Sequence, residues 1–167
     1  MLHQLNYHVP VFKLMMVKEP ALKKPKARSS HPVAIKSAQD AAKLFNPLSF
    51  ASEEYFVALH LNSKFEVIGL HEVSHGTLSA SLVHPREVFK AALVANSYAI
   101  LVCHNHPSGA GITPSAEDLA TTRTLIEAGR LLGVSVLDHI ILGPQQQSKN
   151  ARAFSFREEH PHLWEAS

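Results

Sequence analysis

A chain of 167 residues with 46% hydrophobic side chains is long enough to bury one core and short for two. No apolar run approaches the ~20 residues that cross a bilayer, the start lacks the pattern of a signal peptide, and the single cysteine, Cys103, excludes an internal disulfide, so the expectation is a soluble cytoplasmic protein with no membrane partner. The net charge of +2 hides an asymmetry: residues 1–36 carry seven Lys/Arg against Glu19 alone, a local +6, while residues 37–167 carry −4, so any nucleic-acid contact belongs to the N-terminus and is expected to be weak.

Residues 10–18, PVFKLMMVK, read as a strand, and residues 20–32, containing LKKPKARSS, as an exposed linker. The expected division is an N-terminal strand and basic linker over 1–36 and one domain over 37–167. Ser37 precedes AQDAAKLF with Asp40 three residues on, which predicts an N-capped helix ending near Asn46-Pro47. Residues 55–61 and 65–75 are rich in β-formers and flank Asn62-Ser63-Lys64, predicting a hairpin. Period two puts Glu72 on the face of Ile68 and Leu70, a costly place for a carboxylate unless that face carries a site.

His84-Pro85-Arg86-Glu87 opens a helix on proline, with Val88, Ala91, Ala92 and Ala95 at helical spacing and an end near Asn96. YAILVC, residues 98–103, is a near-continuous apolar run suited to a central strand, from whose end His104 emerges. After a loop over 107–114, Ser115 starts a long helix with Leu119, Leu125 and Ile126 as apolar contacts, closing at Gly133. VSVLDHIIL, residues 134–142, returns as a strand. This order is that of an α/β domain with helices on a mixed sheet.

Twelve histidines are many for this length, but most are scattered, and the informative pair is in HNHPSGAGITPSAED. Residues two apart in an extended segment point the same way, so His104 and His106 can aim both imidazoles at one point while Cys103 and Asn105 face away. A catalytic zinc takes three protein ligands and leaves a fourth position to water. Asp118, one turn into the helix that Ser115 opens, completes that set, and Pro107, Gly109, Gly111 and Pro114 shape the loop between. HxH alone is common in surface loops, and Ser115-Ala116-Glu117-Asp118 is also an ordinary capping sequence. The combination of HNHPSG, a proline-ended loop, SxxD and an upstream strand glutamate is far more specific.

These motifs resemble the RadC-like branch of the JAMM (MPN+) metalloprotease fold, bacterial proteins historically labelled as DNA repair proteins. The resemblance runs from about residue 37 to residue 156 and also includes GTLSASLVHPREVFKAAL at 76–93, LDHIILG at 137–143 and FSFREE at 154–159. It implies an α/β fold of MPN/JAMM type, a mixed β-sheet packed with helices in cytidine-deaminase-like α-β-α layers. By that similarity one Zn2+ is held by His104, His106 and Asp118 with a bound water. Glu72, in HEVSHGTL, matches the catalytic glutamate that carries the proton from water to the leaving amine, and Ser115 matches the serine that donates to the oxyanion. The implied reaction is hydrolysis of amide or isopeptide bonds in a protein or peptide.

Two departures from the RadC-like pattern are visible. The loop between His106 and Ser115 holds eight residues where seven are usual, and the extra one is expected to bulge outward. No helix-hairpin-helix pattern precedes the domain, so the chain resembles the short single-domain relatives. Two other functions stay open: a metal-dependent nuclease of the repair type, and a non-catalytic MPN binding module. His139 beside Asp138 reads as a hydrogen-bonded structural histidine, with a place behind the zinc as its alternative. His71, His75, His160 and His162 read as exposed polar residues, Trp164 as a packing aromatic, and Cys103 as a small apolar residue behind the site.

Overall fold

The computed structural model describes residues 33–76, 83–107, 111–144 and 152–165. The strand expected over 10–18 and the linker over 20–32 lie outside them, as do residues 108–110 of the histidine loop. Helix α1 (Ala38–Phe45) begins where the Ser37 hydroxyl oxygen accepts from Asp40 N at 3.2 Å, and it buries Ala41 and Phe45, one turn apart. A 3-10 turn over Asn46–Phe50 leads into β1 (Glu54–Leu61), which forms the predicted hairpin with β2 (Val67–Gly76). Asn62 holds that turn: its side-chain oxygen accepts from Lys64 N at 2.9 Å and from Glu66 N at 3.0 Å.

Helix α2 (Pro85–Val94) starts on a proline, whose missing N–H has no helical partner to lose. Strand β3 (Ala99–Asn105) is buried along its whole length and runs two residues past the predicted end, because the start of β1 still pairs with it there: Phe56 lies opposite His104, and Tyr55 N donates to Asn105 Oδ1 at 2.8 Å. Helix α3 (Ala116–Leu132) opens on a capping box, with Asp118 N donating to Ser115 Oγ at 3.1 Å and Ser115 N donating to Asp118 Oδ2 at 2.8 Å. It closes at Gly133, whose φ of 69° a side chain would strain. Strands β4 (Ser135–Leu142) and β5 (Ala153–Ser155) and the short α4 (Phe156–Glu159) follow.

Among the described residues five strands lie in the order β2-β1-β3-β4-β5, with β3 and β4 parallel and the other neighbours antiparallel. Phe56, Ala58, Ile100 and Val102 pack on one face against Val88, Phe89 and Ala92 of α2 and Leu125 and Ile126 of α3. Val57, Leu59, Leu101 and Cys103 pack on the other face against Ala41 and Phe45 of α1. The result is an α-β-α layering around a mixed sheet, as the resemblance implies. No helix among the described residues is long and apolar enough to cross a membrane.

Two irregularities in register decide which side chains meet. Val136 lies opposite Ile100, but Leu101 lies opposite Asp138, so Leu137 is an extra residue and the alternation of β4 reverses there. His139 thereby comes opposite Val102, on the face covered by α2 and α3. In β2 the extra residue is Val73: Phe56 lies opposite Ser74, and Val57 lies opposite Glu72.

Candidate metal centre

The centre forms where β3 runs out beside the first turn of α3. His106 N donates to Leu142 O at 2.8 Å, which prolongs the β3–β4 ladder by one step and keeps the chain extended through the HxH segment. As the two-residue period requires, both rings point to one place, with His104 Nε2 and His106 Nε2 3.0 Å apart. Asp118 comes to the same nitrogens from α3, its Oδ1 3.2 Å from His104 Nε2 and its Oδ2 3.7 Å from His106 Nε2. A second carboxylate arrives from β1. Glu54, His104 and His106 each offer a ligand atom, and these atoms lie within 4.8 Å of one another, close enough to bind a metal ion. The register explains Glu54: Phe56 is opposite His104, so the residue two earlier on the same face of β1 comes level with His106.

Hydrogen bonding restricts the tautomers open to the neutral rings. The Gly111 carbonyl, 3.1 Å from His106 Nδ1, can only accept, so His106 carries a proton on Nδ1, which in the neutral ring leaves a lone pair on Nε2. On the other ring, His104 Nδ1 meets His139 Nε2 at 2.8 Å, and His139 Nδ1 meets Thr122 Oγ1 at 2.6 Å. Thr122 spends its one proton on the Asp118 carbonyl at 2.6 Å, so His139 must donate from Nδ1 and accept at Nε2. His104 then donates from Nδ1, and in the neutral ring it presents a lone pair at Nε2. Two lone pairs 3.0 Å apart repel unless a cation lies between them, and two imidazole nitrogens with a carboxylate are the donor set of a catalytic zinc.

Ser115 donates to Asp118 Oδ2 from both its N–H and its O–H at 2.8 Å, bonds that favour the ionised carboxylate against the cost of burial. Asp118 is 2% exposed and His104 1%, so the anion and the imidazole face each other with little water to screen them. Phe56 stacks on His104 at 5.9 Å between ring centroids and fixes the plane of the ring.

The expectation for Glu72 is corrected by this geometry. Glu72 shares a row of the sheet with Val57 and Cys103, which belong to the α1 face, whereas the histidines stand on the face of α2 and α3. It is half exposed and its Oε1 is bonded to His75 Nδ1 at 2.7 Å. Glu54 is the strand glutamate whose carboxylate comes close to both histidines, and no local pattern in EEYFVALHL marks it; only the pairing of β1 with β3 does. The Ser115 hydroxyl donates to Asp118 Oδ2 at 2.8 Å. His139 is fully buried and hydrogen-bonded, as expected of a structural histidine, and its Nε2 lies 2.8 Å from His104 Nδ1. Cys103 is fully buried on the α1 face, and burial pushes its thiol up, in keeping with a small apolar packing role. Trp164 packs against the core and donates from Nε1 to Val136 O at 2.6 Å.

Residues 35–161 match the family model described as RadC-like JAB domain. A UPF0758 protein of Staphylococcus haemolyticus is 50% identical over 115 residues, which is 68% of this chain and 50% of that protein. A UPF0758 protein of Staphylococcus carnosus is 54% identical over 112 residues, 66% of this chain and 49% of its own length. For one from Alkaliphilus metalliredigens the figures are 50% over 110 residues, 65% and 47%. The chain thus spans about half the length of the bacterial relatives it matches.

Proposed function

This chain belongs to the RadC-like JAB domain family, and from that membership we propose that it is a zinc-dependent hydrolase, a metallopeptidase acting on amide or isopeptide bonds of a protein or peptide. The observation that carries the reading is the pair of imidazole Nε2 atoms 3.0 Å apart with carboxylates beside them. His104, His106 and Asp118 are the proposed ligands: all three are oriented by hydrogen bonds from behind, and Asp118 is held as an anion. Zinc in such a set supplies Lewis acidity, which acidifies water and polarises a carbonyl. Glu54, less buried than Asp118 and at the start of β1, is the proposed carrier that takes a proton from the attacking water and returns it to the leaving amine. The Ser115 hydroxyl is the proposed donor to the developing oxyanion, a task for which it must turn away from Asp118.

Elemental analysis tests the centre: wild type is expected to hold about one zinc per chain and the His104→Ala/His106→Ala variant none, and equal metal in both would overturn the assignment. Proteomic comparison of products left by wild type and by Glu54→Gln tests the reaction, with cleavages expected from wild type only. A second reading, a metal-dependent nuclease, is favoured by the +6 charge of residues 1–36. Cleavage of labelled DNA that disappears in Glu54→Gln would replace the peptidase reading with that one.

A further inference from the structure

Two polar side chains behind the centre, His139 and Thr122, contribute no ligand, yet they join two of the proposed ligands to each other. Thr122 lies one helical turn after Asp118 on α3, and its hydroxyl donates back to the Asp118 carbonyl at 2.6 Å. The same oxygen accepts from His139 Nδ1 at 2.6 Å, and His139 Nε2 accepts from His104 Nδ1 at 2.8 Å. The path runs from α3 to β4 to β3, and Asp118, Thr122, His139 and His104 are each no more than 2% exposed, so water offers no substitute partner. Phe156 stacks on the His139 ring at 4.9 Å with planes 15° apart, and Phe56 lies 5.4 Å away, which holds the ring in the plane the bonds need.

We propose that His139 and Thr122 are positioning residues whose hydrogen-bond relay locks His104 in the tautomer with its proton on Nδ1, leaving Nε2 free for a metal. The proposal rests on the metal-centre reading above. A competing tautomer is within reach: a proton on His104 Nε2 would be donated to Asp118 Oδ1, 3.2 Å away, and would tie up both ligand atoms at once. The relay removes that option because His139 Nε2, itself required to be an acceptor by the direction of the Thr122 bond, demands a donor at His104 Nδ1. The Leu137 irregularity in β4 puts His139 on the correct face for this role.

The test uses metal-stripped protein and reads two quantities: the histidine tautomers, from long-range proton–nitrogen NMR correlations, and zinc affinity by titration. Wild type is expected to show Nδ1–H for both His104 and His139. His139→Phe keeps the ring stacking and removes the acceptor; His104 should shift toward Nε2–H and zinc affinity should fall about 10–100-fold. His139→Gln, whose amide oxygen can accept from His104, should recover most of that loss. Thr122→Val, which cuts the relay at its far end without a change of shape, should move both readouts in the same direction and serves if His139→Phe does not fold. An Nε2–H tautomer of His104 in the stripped wild type, or wild-type zinc affinity in both His139→Phe and Thr122→Val, overturns the proposal. A wild type with His104 protonated on Nδ1 that takes up no zinc would overturn the metal reading while upholding the tautomer lock.

Discussion

Glu54 and Glu72 are both strand glutamates upstream of the histidines, and they separate the two kinds of information on which a site depends. The pairing of His104 with His106 is legible from the sequence because it needs only the local two-residue period, and the approach of Asp118 because it needs only the spacing of a helix cap. Which glutamate joins them depends on how β1 is registered against β3, and that register has no local sign. Glu54→Gln is therefore expected to keep its zinc and lose turnover by about 100-fold or more, whereas Glu72→Gln should change neither, its bond to His75 being at the surface. Zinc content and steady-state rates of the two variants, measured side by side, decide the matter, and loss of turnover in Glu72→Gln alone would reverse the assignment.

At the scale of elements, α3 is fastened at both ends, and each end is open to a measurement. Its N-terminal box joins stability to the centre, since Ser115 both caps the helix and bonds the Asp118 carboxylate. Ser115→Ala should cost about 1 kcal/mol of unfolding free energy and also weaken zinc binding. A stability loss in urea with unchanged zinc affinity would limit Ser115 to the cap. Near the other end, Gly129 lets β4 approach: a Cβ there would sit 2.5 Å from Val134 O, with Val136 Cγ2 at 3.2 Å and Phe89 Cζ at 3.3 Å. The Val134 N–H is bonded to Gly129 O at 3.0 Å, so the backbone cannot retreat without loss. Gly129→Ala, favourable in an exposed helix, should here destabilise by about 1–3 kcal/mol, and a raised urea midpoint would contradict the crowding.

For the molecule as a whole, the buried His60 of β1 and the partly exposed His71 of β2 predict how stability depends on pH. His60 is 3% exposed; its Nδ1 meets Ser97 Oγ at 3.1 Å, and its Nε2 has no hydrogen-bond partner among the described residues. Burial, followed by the nearby His71, lowers its pKa from 6.5 to about 4. His71 is lowered as well, by burial and by Lys90, against the opposing pull of Glu87 and Glu72. The unfolded chain then takes up a proton on His60 near pH 6.5 that the folded chain refuses until about pH 4, so stability is full above 6.5 and falls as the pH drops through that window. His60 alone accounts for about 3 kcal/mol of that fall. Urea unfolding between pH 7.5 and 4.5 should show the slope, and His60→Phe should flatten it; an unchanged slope in the variant would remove His60 as the source.

What the sequence by itself determined are the features set within a turn or a strand: the caps at Ser37 and Ser115, the proline start of α2, the buried run of β3, and the convergence of His104, His106 and Asp118. These depend on contacts a few residues apart, so the pattern of residues is the cause and can be read directly. Tertiary structure alone decided that Glu54 and not Glu72 stands beside the histidines, and that His139 lies behind His104. Both outcomes turn on strand register, including the extra residues Val73 and Leu137 that reverse a strand's alternation. Register is chosen by the packing of the sheet between α1 on one side and α2 and α3 on the other, a balance that involves residues far apart in the chain.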